Sequence, residues 1–253
     1  MNVEILTAII AAVIALASTI ISIYGQGRIT KLAHQLNQQS EEKSRETKVA
    51  EIMARYRDPL IRSAIDLQRR IYSTVRLDYL EKLYQRSQAE QNYAIQHTLF
   101  LIAEYLGWVE ILRREIQFLD LGDIEMNRRL MQVLFKISDA FFSEKTDSAF
   151  RIYYGEQRAI GEIMISVGHT TIDSTKHECI GYASFVKRFN DPEFAIWFGR
   201  LKNDFERKAE GSFTNDERLI VLQHALIDLI DFLDPEGIRT PKEERQKISS
   251  VTT

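Results

Sequence analysis

The sequence predicts an all-α protein made of an N-terminal transmembrane helix, a helical stalk and a cytoplasmic multi-helix bundle. Three observations carry that expectation. Residues 5–24 read ILTAIIAAVIALASTIISIY, twenty side chains without a charge. Only four prolines and eleven glycines punctuate the 253 residues. The segments between them are rich in Leu, Ile, Ala, Glu, Arg and Gln, which favour helix, and 45% hydrophobic content suffices for a substantial core.

The first element is the span. A bilayer core about 30 Å thick needs about 20 apolar residues, and residues 5–24 supply that length with Ser18, Thr19 and Ser22 as their appreciably polar members. A cleaved export signal would have a basic start and a shorter apolar stretch, whereas Glu4 here offsets the terminal amine. A buried soluble helix would keep a polar stripe. Orientation follows from the flanks: no Lys or Arg precedes the run, whereas Arg28, Lys31, Lys43, Arg45 and Lys48 follow it. The short tail 1–4 is therefore expected outside and residues 25–253 in the cytoplasm, as a single-pass protein of the inner (plasma) membrane. The one cysteine, Cys179, agrees with a reducing compartment.

Charge is divided along the chain. Residues 28–76 hold eleven Lys or Arg against six Asp or Glu, whereas residues 77–253 hold 22 against 29. An anionic leaflet attracts the first region and repels the second. Nucleic acid is not expected as a partner, because phosphate binding needs a concentrated basic face.

Residues 25–56 read as a stalk. Ile29, Leu32, Leu36, Gln39, Lys43, Glu46, Ala50 and Met53 follow a 3,4 spacing, a heptad seam with a polar middle. Two readings stay open, a coiled coil making a homo-oligomer and a solvated single helix with i,i+4 charge pairs.

Residues 57–240 form the expected all-helical domain. Its first helix is predicted to start at Asp58–Pro59, with Asp as cap and Pro at a position whose missing N–H costs nothing. Leu60, Ala64, Leu67, Ile71 and Val75 form its buried stripe. Arg55, Arg57, Arg62, Arg69 and Arg70 are candidate contacts for lipid phosphates or an acidic partner, with salt bridges inside the domain as the competing use. Residues 90–122 predict a long central helix closed at Gly122. His97, Leu101, Glu104, Trp108, Ile111 and Glu115 share one sector of it, so two carboxylates and an imidazole lie on an aromatic-rich face. In residues 151–165, Gly155, Arg158, Ala159 and Glu162 share a face. Small residues there allow close helix approach, Arg158 and Glu162 are spaced as an i,i+4 pair, and Glu104 or Glu115 is the expected partner of Arg158.

A further helix is expected from Asp191–Pro192, with Phe194, Ile196, Trp197, Phe198 and Leu201 as core. The last helix, 217–237, is apolar through Leu219, Leu222, Leu226, Leu229, Ile230 and Leu233. Asp228, Asp231 and Asp234 make an i, i+3, i+6 ladder expected to face solvent rather than a cation, and residues 241–253 read as a flexible, mildly basic tail.

The stretches RYRDPL, AEYLGWVEILRREIQFLDLG, GEQRAIGE, ECIGYASF and QHALIDLIDFLDPE, in order over most of residues 55–236, resemble a family of uncharacterised bacterial proteins often preceded by a membrane segment. The resemblance implies one coherent domain in a bacterial setting and assigns no activity.

Standard catalytic signatures are missing: the sequence holds no P-loop, G-x-G-x-x-G, G-x-S-x-G or H-E-x-x-H. None of His34, His97, His169, His177 and His224 follows a Glu by three residues, which removes the di-iron bundle pattern. His169, His177 and Cys179 match no usual zinc spacing, so neither metal nor cofactor is expected. The leading expectation is a membrane-tethered interaction or regulatory module that binds a protein partner. The alternatives are a membrane-associated enzyme using Glu104, Glu115, Arg158, Glu162 and His97, and a membrane effector acting through its span.

Overall fold

Helix α1 (Val3–Leu77) runs 75 residues without interruption through the segments that the sequence divides into span, stalk and first domain helix. It belongs to a computed structural model that describes residues 3–116, 124–145, 149–168, 176–213 and 215–249. Within that range the side chains of 3–25, 27–30, 45, 46, 48–54, 116, 124, 126, 127, 167, 168 and 176 lie outside the description. The chain divides into two compact units, Met1–Glu51 and Ile52–Thr253.

In the first unit, residues 31–44 are helical and exposed throughout, Leu32 and Leu36 included. Among the described residues no helix is long and apolar enough to cross a membrane; the side chains of the predicted span 5–24 are outside them.

The second unit does not begin its helix at Asp58. Pro59 sits inside α1, which leaves the carbonyl four residues earlier without its usual donor. Packing on both sides of the proline holds the helix together: Tyr56, Leu60, Ile61, Ala64 and Leu67 are all buried. Asp58, freed from a capping role, binds Arg239 Nε at 2.7 Å. The helix ends at Asp78, whose φ of 53° is a left-handed conformation that Asp tolerates.

Helices α2 (Tyr79–Tyr84), α3 (Gln88–Ile116), α4 (Ile124–Phe142) and α5 (Tyr154–Ile163) follow. A two-stranded antiparallel hairpin, β1 (Ile165–Gly168) and β2 (Lys176–Cys179), pairs Ile165 with Cys179 and Val167 with His177. It is an addition to the all-α expectation in an otherwise helical fold. Helices α6 (Tyr182–Arg188), α7 (Pro192–Ala195), α8 (Gly199–Ala209) and α9 (Glu217–Leu233) complete the body. The helix expected from Asp191 is therefore two, separated by a turn at 196–198. Asp191 caps α7 by accepting from the Glu193 N–H at 3.0 Å, and Phe194, Phe198 and Leu201 are buried while Ile196 and Trp197 are exposed.

Helix α3 is central, as its all-round apolar character predicts, and touches α2, α5, α6, α8 and β2. Its contact with α5 is set by Gly161, where a Cβ would fall 2.7 Å from the Leu106 carbonyl oxygen and 2.8 Å from Glu110 Cβ. Gly155, one of the small residues named by the sequence pattern, has nothing within 4 Å of its would-be Cβ. Helix α4 lies on α9, and Arg218 of α9 secures the join. Its buried guanidinium donates to the carbonyls of Ala140, Phe141, Ser143 and Ala149 at 2.7–3.0 Å, covering acceptors that a helix C-terminus leaves free.

Residues 241–249, expected as a flexible tail, dock as a strap on the Asp ladder, whose Asp228 and Asp231 remain at least partly exposed while Asp234 is buried. Asp228 pairs with Lys247 at 2.5 Å, Asp231 with Arg245 at 2.9 Å and Asp234 with Arg245 at 2.7 Å. Gln223 accepts from the Ile248 N–H and donates to the Gln246 carbonyl, and Ile248 is buried. Residues 250–253 lie outside the described residues.

Candidate functional site

Two helix faces meet at a polar cleft of the body. From α1 come Asp66, Arg69, Arg70 and Ser73, an i, i+3, i+4, i+7 set; from α3 come His97, Phe100, Leu101 and Glu104, the same spacing. Tyr79 of α2 completes a cleft of about 590 Å³. The spacing was readable in the sequence for α3 and, apart from Asp66 and Ser73, for the arginines of α1; their convergence was not.

Arg70 is the anchor. It is only 8% exposed; its Nη2 lies 2.5 Å from His97 Nδ1, and its Cζ stands 4.3 Å above the Tyr79 ring centre. A guanidinium only donates, so His97 Nδ1 accepts and the imidazole proton sits on Nε2. Burial and then the Arg70 charge push the His97 pKa down to about 4, so the ring is neutral at pH 7. His97 stacks on Tyr93 at 5.3 Å and meets the Tyr182 ring edge-on at 5.2 Å.

Glu104 has the opposite perturbation. Burial first and the Asp66 carboxylate second raise its pKa to about 7, and Asp66 itself is raised by burial against the opposing pull of Arg69 and Arg62. Two carboxylates sharing a half-buried space hold a proton longer than isolated ones do. Cys179 donates from Sγ to the Glu104 carbonyl at 3.6 Å, and burial with the Glu104 charge raises its thiol far above the usual range. It is no thiolate nucleophile at neutral pH.

The other sequence candidates go elsewhere. Glu115 binds His177 Nδ1 at 2.8 Å, which ties α3 to β2. Glu162 pairs with Arg114 at 3.5 Å instead of with Arg158. Among the described residues Arg158 makes no ion pair and is exposed, so the polar centre expected of Arg158 with Glu104 or Glu115 is replaced by one the sequence reading missed. That centre is Glu110, 3% exposed, which takes Arg113 at 2.7 Å and Arg114 at 2.9 Å. Burial alone would raise its pKa; the two guanidiniums outweigh this and hold it low. An E-x-x-R-R spacing was the available signal. Of the α1 arginines, Arg69 pairs with Glu244 of the strap, Arg55 and Arg62 are exposed, and the Arg57 Nε is buried without an acceptor among the described residues.

A second surface is apolar. Met131 and Phe135, one turn apart on α4, are 52% and 61% exposed, and Tyr153 and Tyr154 at the start of α5 are 45% and 39% exposed. Phe135 stacks on Tyr154 at 6.5 Å, and Phe142 contacts Tyr154 at 4.6 Å and Tyr153 at 6.0 Å. Each tyrosine is fixed: Tyr154 Oη donates to Asp139 at 3.1 Å, and Arg200 Cζ lies 4.9 Å over the Tyr153 ring. Tyr154 also borders a groove of about 210 Å³ between α3, α4 and α5, with Arg113 and Arg158 among its lining residues.

Among the described residues no group of three or more His, Cys, Asp or Glu is arranged to hold a metal ion, and His169 lies outside them. Comparison with protein-family models, curated proteins and solved structures found no match to the chain.

Proposed function

We propose that the chain is a membrane-tethered cytoplasmic interaction module that binds a protein partner. The observation that carries this reading is the aromatic ledge of Met131, Phe135, Tyr153 and Tyr154. Large apolar side chains gathered in one exposed place mark interaction sites, and Tyr, Phe, Met and Arg are the types enriched in interface centres. Held rings lose little entropy on binding, which favours affinity. Arg158, which lines the same groove as Tyr154, is exposed without an ion pair among the described residues, so the complementary partner is an apolar segment with an acidic neighbour. The span at 5–24, its orientation with the N-terminus outside and the domain inside, and homo-oligomerisation through the stalk rest on the sequence alone, as does the bacterial family resemblance.

The test is quantitative copurification from native membranes with the wild type and with Phe135→Ala/Tyr154→Ala, both shown to be folded by thermal melting. A specific protein retained by the wild type and lost from the variant supports the proposal. An identical protein set on both, or none on either, overturns it. A reporter fused at the C-terminus and found in the periplasm would overturn the orientation.

A further inference from the structure

The α1–α3 cleft contains unmet charges of both signs. Arg70 is more than nine-tenths buried, and its Nη1 has no acceptor among the described residues. Arg70, with the Tyr79 ring 4.3 Å from its Cζ and His97 2.5 Å from its Nη2, lines this cleft and also a largely apolar cavity on its inner side, and Nη1 is itself buried. An unsatisfied buried donor costs about 1–3 kcal/mol, a cost that an incoming acceptor removes. His97 adds a second donor, Nε2–H, with no protein acceptor among the described residues. Facing these donors, Asp66 and Glu104 have no ion pair among the described residues, although Arg62 and Arg69 act on Asp66 from a distance.

We propose that this cleft binds a small zwitterion of the α-amino acid class, with its carboxylate on Arg70 and His97 and its ammonium on Asp66 and Glu104. A simple anion would meet repulsion from the two acids, and a simple cation would meet Arg70 and Arg69. A dipolar ligand satisfies both ends in one space. The cleft, about 590 Å³, lies within the size range of ligand sites, about 300–1,000 Å³. Phe100 and Leu101, both buried, and Tyr79 back the cleft on its apolar side. The titratable and charged groups facing the ligand are Asp66, Arg69, Arg70, His97 and Glu104, with the Cys179 thiol behind Glu104. Because Glu104 is about half protonated near neutral pH, an ammonium seated on it displaces a proton.

The full chain in mild detergent is screened by thermal unfolding against each of the twenty common L-amino acids at about 10 mM, where a millimolar ligand gives a measurable stabilisation. At least one raises the midpoint. Its decarboxylated amine and its deaminated acid each bind about tenfold or more weakly, since each loses one charged anchor. Calorimetry in two buffers of different ionisation enthalpy at pH 7 then records proton release. Asp66→Asn, with its fold checked by its own unliganded midpoint, weakens binding about tenfold; Arg70→Gln does the same where it folds. No stabilising amino acid, analogues that bind as tightly as the parent, or wild-type affinity in Asp66→Asn would each overturn the proposal.

Discussion

Arg245 and Asp234 form an ion pair at 2.7 Å with side chains 3% and 1% exposed. Asp234 also accepts the backbone N–H groups of Ile238, Arg239 and Thr240, and Arg245 donates to the carbonyls of Asp234 and Thr240. One carboxylate therefore organises the turn after α9, and one guanidinium locks the strap to it.

Removing one partner strands the other. Arg245→Met is expected to destabilise the body by about 3–5 kcal/mol, the usual cost of an uncompensated buried charge. Asp234→Asn/Arg245→Met should lose clearly less than the two single changes added together, a coupling read from chemical denaturation. Burial alone would raise the Asp234 pKa, but its three N–H donors and Arg245 hold it below the ordinary carboxylate range. This stabilisation is full above the unfolded-state value near 4 and is lost as the pH falls through the depressed folded value. Acid unfolding of Asp234→Asn should thus show a weaker dependence on pH below about 4 than the wild type does.

Gly161 and Gly155 predict opposite outcomes from one substitution. At Gly161 a methyl group would overlap backbone of α3, which cannot yield like a flexible side-chain end, so Gly161→Ala should cost about 1–3 kcal/mol. Gly155 lies in open space within α5, and Gly155→Ala should gain about 0.5–1 kcal/mol from a restricted unfolded chain. Urea midpoints of the two variants decide the matter; equal values would refute the α3–α5 packing described.

These glycines also show what the sequence could and could not convey. Periodicity located α3 and the buried stripe of α9, because apolar spacing along a helix is local information; the expected close of α3 at Gly122 lies outside the described residues. The pattern named Gly155 and Ala159 as the small residues and did not single out Gly161, since which glycine touches α3 depends on how α5 is placed. Asp58–Pro59 had every feature of a helix start, yet packing around Tyr56 and Leu60 carries α1 through. The cations of the Asp ladder lie 11 to 19 residues away, beyond any helical pattern. Of the candidate site, His97 and Glu104 were legible on one helix face, whereas Asp66 and Ser73 joined them only through the crossing of α1 and α3.

Glu104 makes stability depend on pH near neutrality. Its folded pKa, about 7, exceeds the unfolded value of 4.5, so its destabilising effect grows from about pH 4.5 to 7 as the unfolded chain releases a proton that the folded one keeps. His97, lowered to about 4 from 6.5, gives the opposite slope between about 4 and 6.5. Glu104→Gln isolates the first effect: its urea midpoint, compared with the wild type, should improve from pH 5 to pH 7 and then level off. A difference that does not change with pH would refute the raised pKa.

Leu32 and Leu36, 58% and 56% exposed on successive turns of α1, are apolar positions of the heptad seam that a single chain leaves in water. Burying a leucine gains about 1.5–3 kcal/mol, so four from two chains offer enough to associate weakly, while Gln39 and Lys43 at following seam positions limit that strength. The full chain in micelles should therefore sediment as a dimer at high concentration and a monomer when dilute. Leu32→Ser/Leu36→Ser should weaken dimerisation about tenfold or more without moving the unfolding midpoint of the body, because both residues lie in the other compact unit. A wild-type chain that stays monomeric at every concentration, or a variant that dimerises equally well, would assign the stalk to a solvated single helix.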